Sequence, residues 1–183
     1  MNIMDLSGKK ILFADLDGTL ITTASGKTFA EDCTDFRIRK DVLDKIKCMD
    51  GLRYLHIVSN QGGIPKYVSK KDFEAKLNGI VHFIQSYLNK RSAFRIGDDD
   101  VDVSTDYCSS MDKEHPCRKP NTGMLEYFLN GELRFAAKWL KEKENMLMIG
   151  DASGKEGQFS DSDRKCAETF GIDYLDVEDF LTF

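Results

Sequence analysis

Residues 11–20, Ile11-Leu12-Phe13-Ala14-Asp15-Leu16-Asp17-Gly18-Thr19-Leu20, decide how the rest of the chain is read. Four apolar residues suited to a buried strand run into two acids and a glycine that lets the backbone turn. Successive strand residues point to opposite faces, so Asp15 and Asp17 can share one side with Leu16 on the other. Two carboxylates at the end of a core strand repel each other, and are tolerable only when a cation, a strong donor or a proton compensates them. The stretch therefore reads as a site. The plainer alternatives are an Asp-Gly hairpin turn or an acidic turn in water. An EF-hand loop fits poorly, because Thr19 and Leu20 stand where that motif needs an oxygen ligand and its glycine.

Working outward, residues 20–36 are polar and read as a hairpin or flap over the end of the first strand. Asp41–Met49 reads as a helix closed by Gly51, and Arg53–Val58 as a second strand ending in Ser59-Asn60-Gln61-Gly62-Gly63. Ser69 is placed to cap a long amphipathic helix whose apolar residues, Phe73, Leu77, Ile80, Val81, Ile84 and Leu88, recur at steps of three and four. Phe94–Ile96 and Val101–Ser104 read as short strands around the acidic turn Asp98-Asp99-Asp100, within a variable region at about 97–117. Asn121 is expected to cap a helix through Gly131, and Leu133–Glu142 to form another with Phe135, Ala136 and Trp139 inward. Met146–Ile149 is a buried strand ending at Gly150-Asp151. Ser162–Phe170 is a helix stopped by Gly171, Ile172–Leu175 a last strand and Val177–Leu181 a closing helical turn. Strands alternate with helices, which predicts one α/β domain over residues 1–183 with a mainly parallel sheet flanked by helices.

Composition narrows the class of protein. No apolar run approaches a membrane span, and residues 1–10 lack the apolar core of a secretion signal. The five cysteines, Cys33, Cys48, Cys108, Cys117 and Cys166, are odd in number and form no C-x-x-C pair. That pattern favours reduced thiols and an intracellular protein, cytoplasmic or nuclear. A net charge of −5 argues against indiscriminate coating of nucleic acid, yet residues 36–95 carry 13 basic and 5 acidic side chains, a local +8. Cations sharing a face would suit a short polyanion; solvated helix faces give the same count.

In parallel α/β sheets, ligands bind beyond the carboxyl ends of the strands. Four features fall at or near such ends: Asp15 and Asp17, Ser59, Arg118-Lys119 and Asp151. They supply carboxylates for a hard cation, a hydroxyl and backbone N–H groups for anionic oxygens, and a lysine charge. That inventory suits phosphoryl transfer assisted by Mg2+.

In their order and wording these segments resemble the four motifs of the haloacid-dehalogenase-like phosphotransferases: Asp15-Leu-Asp17-Gly-Thr19, Val58-Ser59-Asn60-Gln61, Arg118-Lys119-Pro120 and Gly150-Asp151. Within that superfamily the chain is most similar to the polynucleotide kinase 3′-phosphatase family. The specific stretches are Phe13 to Ile21, Ser59 to Ile64, Arg118 to Met124, and above all Gly150-Asp-Ala-Ser-Gly-Lys155 running on through Asp161-Ser-Asp-Arg-Lys-Cys-Ala-Glu-Thr-Phe-Gly171. The resemblance runs from about Lys9 onward, with 90–117 matching least. It implies a Rossmann-like fold without a large cap domain, and hydrolysis of a terminal 3′-phosphate on DNA or RNA in end repair. Asp15 would be the nucleophile, giving an aspartyl-phosphate, and Asp17 the acid–base. Mg2+ would be held by Asp15, the backbone carbonyl of Asp17 and Asp151, with Asp163 in the outer shell and Asp161 a weaker candidate for that place. Ser59 and Lys119 would bind phosphoryl oxygens, with Thr19, Asn60 and Arg118 in support.

Two departures qualify this. The chain has no G-x-x-x-x-G-K-[ST], so a phosphatase is expected without 5′-kinase activity unless a separate kinase or ligase partner works beside it. Cys108, His115 and Cys117 resemble the zinc loop of sugar and histidinol phosphatases, but offer three ligands where structural zinc takes four; reduced loop cysteines are the default expectation. Lys27, Arg37, Arg39 and Lys66 are candidate backbone contacts, and Phe29, Phe36 and Tyr107 are rings that could stack a base or pack inward. The alternatives are a small-molecule phosphomonoesterase of the same superfamily and a non-catalytic phosphate-end binder.

Overall fold

The computed structural model describes residues 6–89 and 100–183, so the expected strand at Phe94–Ile96 and the acids Asp98 and Asp99 lie outside the described residues. Strand β1 (Ile11–Ala14) is followed by the short hairpin strands β2 (Ile21–Thr22) and β3 (Arg37–Ile38), which pair antiparallel with each other. Then come α1 (Lys40–Lys47), β4 (Tyr54–Asn60), α2 (Lys70–Leu88), β5 (Asp102–Cys108), α3 (Gly123–Tyr127), β6 (Met146–Gly150), α4 (Ser162–Phe170), β7 (Asp173–Asp176) and α5 (Val177–Thr182). The main sheet runs β5-β4-β1-β6-β7, with every neighbouring pair parallel.

This order puts β1 at the centre, which its uninterrupted apolar sequence requires, since both its faces are covered. Leu12 and Ala14 enter one core with Leu55, Ile57, Leu147 and Ile149 under α1, α2 and α5. Ile11 and Phe13 enter the other with Val58, Met146 and Met148 under α3 and α4. The registers Ala14 opposite Ile57 and Ala14 opposite Ile149 bring the ends of β1, β4 and β6 level. Asp15, Ser59 and Asp151 therefore emerge on one edge of the sheet. The α/β class with its parallel sheet is thus the observed fold, and Ser69 caps α2 through the Asp72 N–H at 3.1 Å as expected.

Several expectations are corrected. Residues 133–142 are not one helix: a widened helical turn at Phe128–Glu132 is followed by a bend and short 3-10 turns at Lys138–Lys141 and Lys143–Asn145. The spacing of Leu133, Ala136 and Leu140 imitates a helical stripe, but these side chains reach the core from separate turns, and Phe135 and Trp139 face solvent. Asn121 does not cap α3; its amide donates to the carbonyls of Lys113 and His115, and folds the preceding loop. Strand β5 extends four residues beyond Ser104, which carries Cys108 to Cys117 with their Cα atoms 5.6 Å apart, and the two form a disulfide. The expected reduced loop cysteines are therefore linked; His115 Nδ1 lies 3.0 Å from Cys117 Sγ, and the Cys108, His115 and Cys117 ligand atoms, all within 4.8 Å of one another, could hold a metal only with the disulfide reduced. Cys33, Cys48 and Cys166 are free.

Candidate active site

Asp15 is the first residue beyond β1; its N–H still bonds Ile149 O at 3.1 Å, so the carboxyl leaves the sheet in a fixed direction. The loop then reverses at Gly18, where φ is +88° and a Cβ would stand 2.2 Å from Asp151 Oδ2. Only glycine fits there on both counts. On the neighbouring strand Gly150 serves the same purpose, since a Cβ would fall 2.3 Å from Asp163 Oδ2. These two glycines let acids from three segments crowd together. The ligating oxygens of Asp15, Asp151 and Asp163 all lie within 4.8 Å of one another. Asp163 is buried in the first turn of α4 and takes the Ala152 N–H at 3.1 Å.

Lys119 enters this cluster from the loop after β5. Asn60, at the end of β4, clasps its backbone twice: Asn60 Nδ2 donates to Lys119 O, and Lys119 N donates to Asn60 Oδ1, each at 2.9 Å. The ammonium donates to Asp15 Oδ1 at 2.5 Å and Val58 O at 2.8 Å, and pairs with Asp163 Oδ1 at 2.7 Å. Burial opposes its charge, but Asp15 and Asp163 outweigh that and raise the Lys119 pKa, so it stays an ammonium. Three acids against one lysine leave an excess of negative charge. Burial, with repulsion from Asp163 and Asp151, pushes Asp15 well above the carboxylate range against the pull of Lys119. Burial and then Asp163 lift Asp151 to about 6. An all-oxygen, charge-burdened set of this kind is what a hard divalent cation fits.

Asp17, by contrast, points to solvent, outside this trio. In the sequence Gln61 is marked only as part of the second motif, yet its amide donates to Asp17 Oδ2 at 2.6 Å and to Ser59 Oγ at 2.8 Å. Gln61 thus ties the second acid to the buried hydroxyl, and its place two residues past Ser59 was the available signal. Thr19 is buried with no hydrogen bond from its Oγ1, so it fills the underside of the loop rather than orienting it through that hydroxyl. Arg118 donates to Ser110 O at 2.8 Å and braces the loop that presents Lys119.

The expected polyanion contacts are mostly engaged elsewhere. Lys27 pairs with Glu31; Arg39 pairs with Asp41 and Glu178 and donates to Gly18 O at 3.3 Å, which makes it a brace of the acid loop. Lys66 lies over the Tyr67 ring at 4.8 Å, and Arg37 is exposed on β3. Asp161 is paired with Lys165 at 2.7 Å, away from the acid trio, and Asp163 is the one that joins it. Of the three candidate stacking rings, Tyr107 is packed on Phe73 and bonded to Glu74, and Phe36 is half-buried. Phe29 is 68% exposed and meets Phe159, itself 87% exposed, edge to face at 5.9 Å.

A parallel α/β sheet with an acid-lysine cluster on its carboxyl edge is the architecture of the haloacid-dehalogenase-like phosphatases. Among solved structures, the D,D-heptose 1,7-bisphosphate phosphatase of B. bronchiseptica, complexed with magnesium and phosphate, superposes with a TM-score of 0.59 over 90% of this chain and 78% of that one, at 16% identity. The model of the family described as polynucleotide kinase 3 phosphatase matches residues 10–181, and the chain belongs to that family. It is similar to the bifunctional polynucleotide phosphatase/kinase of Schizosaccharomyces pombe, 32% identical over 94% of this chain and 38% of that protein. It is also similar to the histidine biosynthesis bifunctional protein HisB of Legionella pneumophila, 31% identical over 92% of this chain and 41% of that protein. The chain thus spans about two fifths of the length of these relatives. Its fold is that of the haloacid-dehalogenase-like phosphatases. Among the described residues no helix is long and apolar enough to cross a membrane.

Proposed function

We propose that this protein is a Mg2+-dependent polynucleotide 3′-phosphatase, which removes the phosphate from a DNA or RNA 3′ end and leaves a hydroxyl for end repair. The observation that carries the choice of substrate is the exposed Phe29–Phe159 pair on two connections that leave the sheet's active edge, in a chain of this family. Between β1 and α1 the chain adds only a two-stranded hairpin, which leaves that edge open to a polymer end.

Asp15, Asp151 and the Asp17 carbonyl would hold the magnesium, with Asp163 behind them. When bound, the ion neutralises the carboxylates and polarises the phosphoryl group. Asp15 attacks phosphorus: an Asp15 Oδ–P bond forms as the bond from phosphorus to the 3′ oxygen breaks, and Asp17 gives that oxygen its proton. A water then attacks the aspartyl-phosphate, Asp17 takes its proton, and inorganic phosphate leaves with Asp15 restored. Lys119 opposes the rise in the Asp15 pKa that burial causes and, with the Ser59 hydroxyl, faces the transferring oxygens. Gln61, bonded to both Asp17 and Ser59, keeps acid and hydroxyl in register. A kinase or ligase acting on the same break would be a separate partner.

The test is steady-state phosphate release from a 3′-phosphorylated oligonucleotide with magnesium, beside its 5′-phosphorylated isomer. Turnover of the 3′ isomer alone is expected. The second reading, a small-molecule phosphomonoesterase, is favoured by the likeness to HisB and to the heptose bisphosphate phosphatase. Turnover of histidinol phosphate or a sugar phosphate with none on the oligonucleotide would establish it and overturn the first.

A further inference from the structure

Phe29 and Phe159 come from segments with little regular structure that leave the sheet's carboxyl edge, and each segment is organised by one buried carboxylate that the chemistry does not use. In the flap, only Ile21 with Ile38 and Thr22 with Arg37 are paired as strands. The residues between them gather around Asp35, whose carboxylate accepts the Ser25 N–H at 2.6 Å, the Ser25 hydroxyl at 2.7 Å and the Glu31 N–H at 3.0 Å. The Glu31 and Ser25 donors hold the Asp35 carboxyl down to about 2. Phe29 stands between the two residues so tied.

The loop after Asp151 repeats the arrangement. Asp176, at the end of β7, takes the Gln158 amide at 2.6 Å, has Ser153 Oγ at 2.7 Å and pairs with Lys155 at 3.1 Å. Gln158 in turn accepts the N–H groups of Ser153 at 2.8 Å and Lys155 at 3.1 Å, so the loop is wound around its side chain. Phe159 is the next residue. Its far side is fixed by the Gly154 N–H on Ser160 O at 3.1 Å. Neither ring belongs to either core, so their edge-to-face contact is made by loops held in place from below.

We propose that Asp35 and Asp176 are positioning residues which hold Phe29 and Phe159 together as a preorganised stacking platform for the base next to the scissile phosphate. This deepens the polynucleotide reading and rests on it. A fixed ring stacks a base without first giving up its rotamer freedom, so loosening either loop weakens binding of the polymer and leaves the chemistry alone.

The test measures KM and kcat of Asp35→Asn and Asp176→Asn on a 3′-phosphorylated oligonucleotide and on p-nitrophenyl phosphate. Asparagine keeps one acceptor at each position, and at 176 it can still cap α5 as Asp176 does through the Glu178 N–H. Each variant is expected to raise the oligonucleotide KM about tenfold, the scale of one lost base stack. The oligonucleotide kcat and both constants for p-nitrophenyl phosphate should stay unchanged. In the Phe29→Ala background Asp35→Asn should add nothing further, and the same holds for Asp176→Asn in Phe159→Ala. Equal losses on both substrates, or fully additive effects with the phenylalanine variants, would overturn the proposal. So would an unchanged oligonucleotide KM in both variants. A wild type with no preference for the oligonucleotide over p-nitrophenyl phosphate would instead overturn the polynucleotide reading itself, which separates the two failures.

Discussion

The floor and the rim of this site are built on opposite terms. On the floor, Asp15, Asp151, Asp163 and Lys119 are delivered by strand ends and the first turn of a helix, packed until two glycines become obligatory, and charged beyond what one lysine can balance. On the rim, Phe29 and Phe159 stand in solvent on loops, held by side-chain hydrogen bonds to Asp35 and Asp176. The floor stores electrostatic tension and fixes the reaction. The rim has no such tension and selects what is presented to it. One superfamily can therefore keep a floor and change substrates by changing loops.

The largest effect that would sharpen this division is on the floor. Asp15→Asn removes the proposed nucleophile and one of the crowded charges together. Phosphate release should fall to background while the melting temperature holds or rises; a melting temperature that collapses would mean that the acid is needed for the fold. Lys119→Met takes from the trio the ammonium that pairs with Asp15 and Asp163 and leaves those buried acids without it. It should lower stability by about 3–5 kcal/mol at pH 7.5, read by urea denaturation.

Next is the pH dependence. Asp151 is lifted to about 6 in the fold, above its ordinary 3.8, so the native state binds the extra proton between those values and loses stability as pH rises through them. A divalent cation relieves that loss only once the acid has ionised. Magnesium should therefore raise the melting temperature more at pH 7.5 than at pH 5, and an equal rise at both would break the assignment of the trio as its site. Gln61→Leu should have a smaller effect. It removes a charge-assisted hydrogen bond from Asp17, worth about 1.5–3 kcal/mol, and should lower kcat with little change in KM.

The floor was the more legible part in the sequence. An apolar run such as Ile11–Ala14 suits a doubly covered strand, and acids or polar turns directly after such runs suggest strand ends. The sequence alone thus suffices to place Asp15, Ser59 and Asp151 together. Lys119 stood out as a charge near those ends, but its role came from the motif, because the loop that carries it has no periodicity. The long fourth motif located Asp163 but left Asp161 open; the choice came from Gly150, whose missing side chain makes room for Asp163 alone. The rim was hard to read for a physical reason. Phe29, Phe36 and Tyr107 are equivalent as letters, and only the course of the loops leaves Phe29 exposed against Phe159. Phe135 and Trp139 misled in the same way, since a helical spacing of apolar residues does not say whether the chain between them stays helical.

The division between floor and rim is tested most directly by one ratio. It is kcat/KM for a 3′-phosphorylated oligonucleotide over kcat/KM for p-nitrophenyl phosphate, measured in the wild type and in Phe29→Ala/Phe159→Ala. The account predicts that the double variant loses the wild type's preference by about one to two orders of magnitude, at about 1–3 kcal/mol per stacked base, with turnover of the small ester unchanged. A ratio that stays constant while both substrates slow together would contradict it.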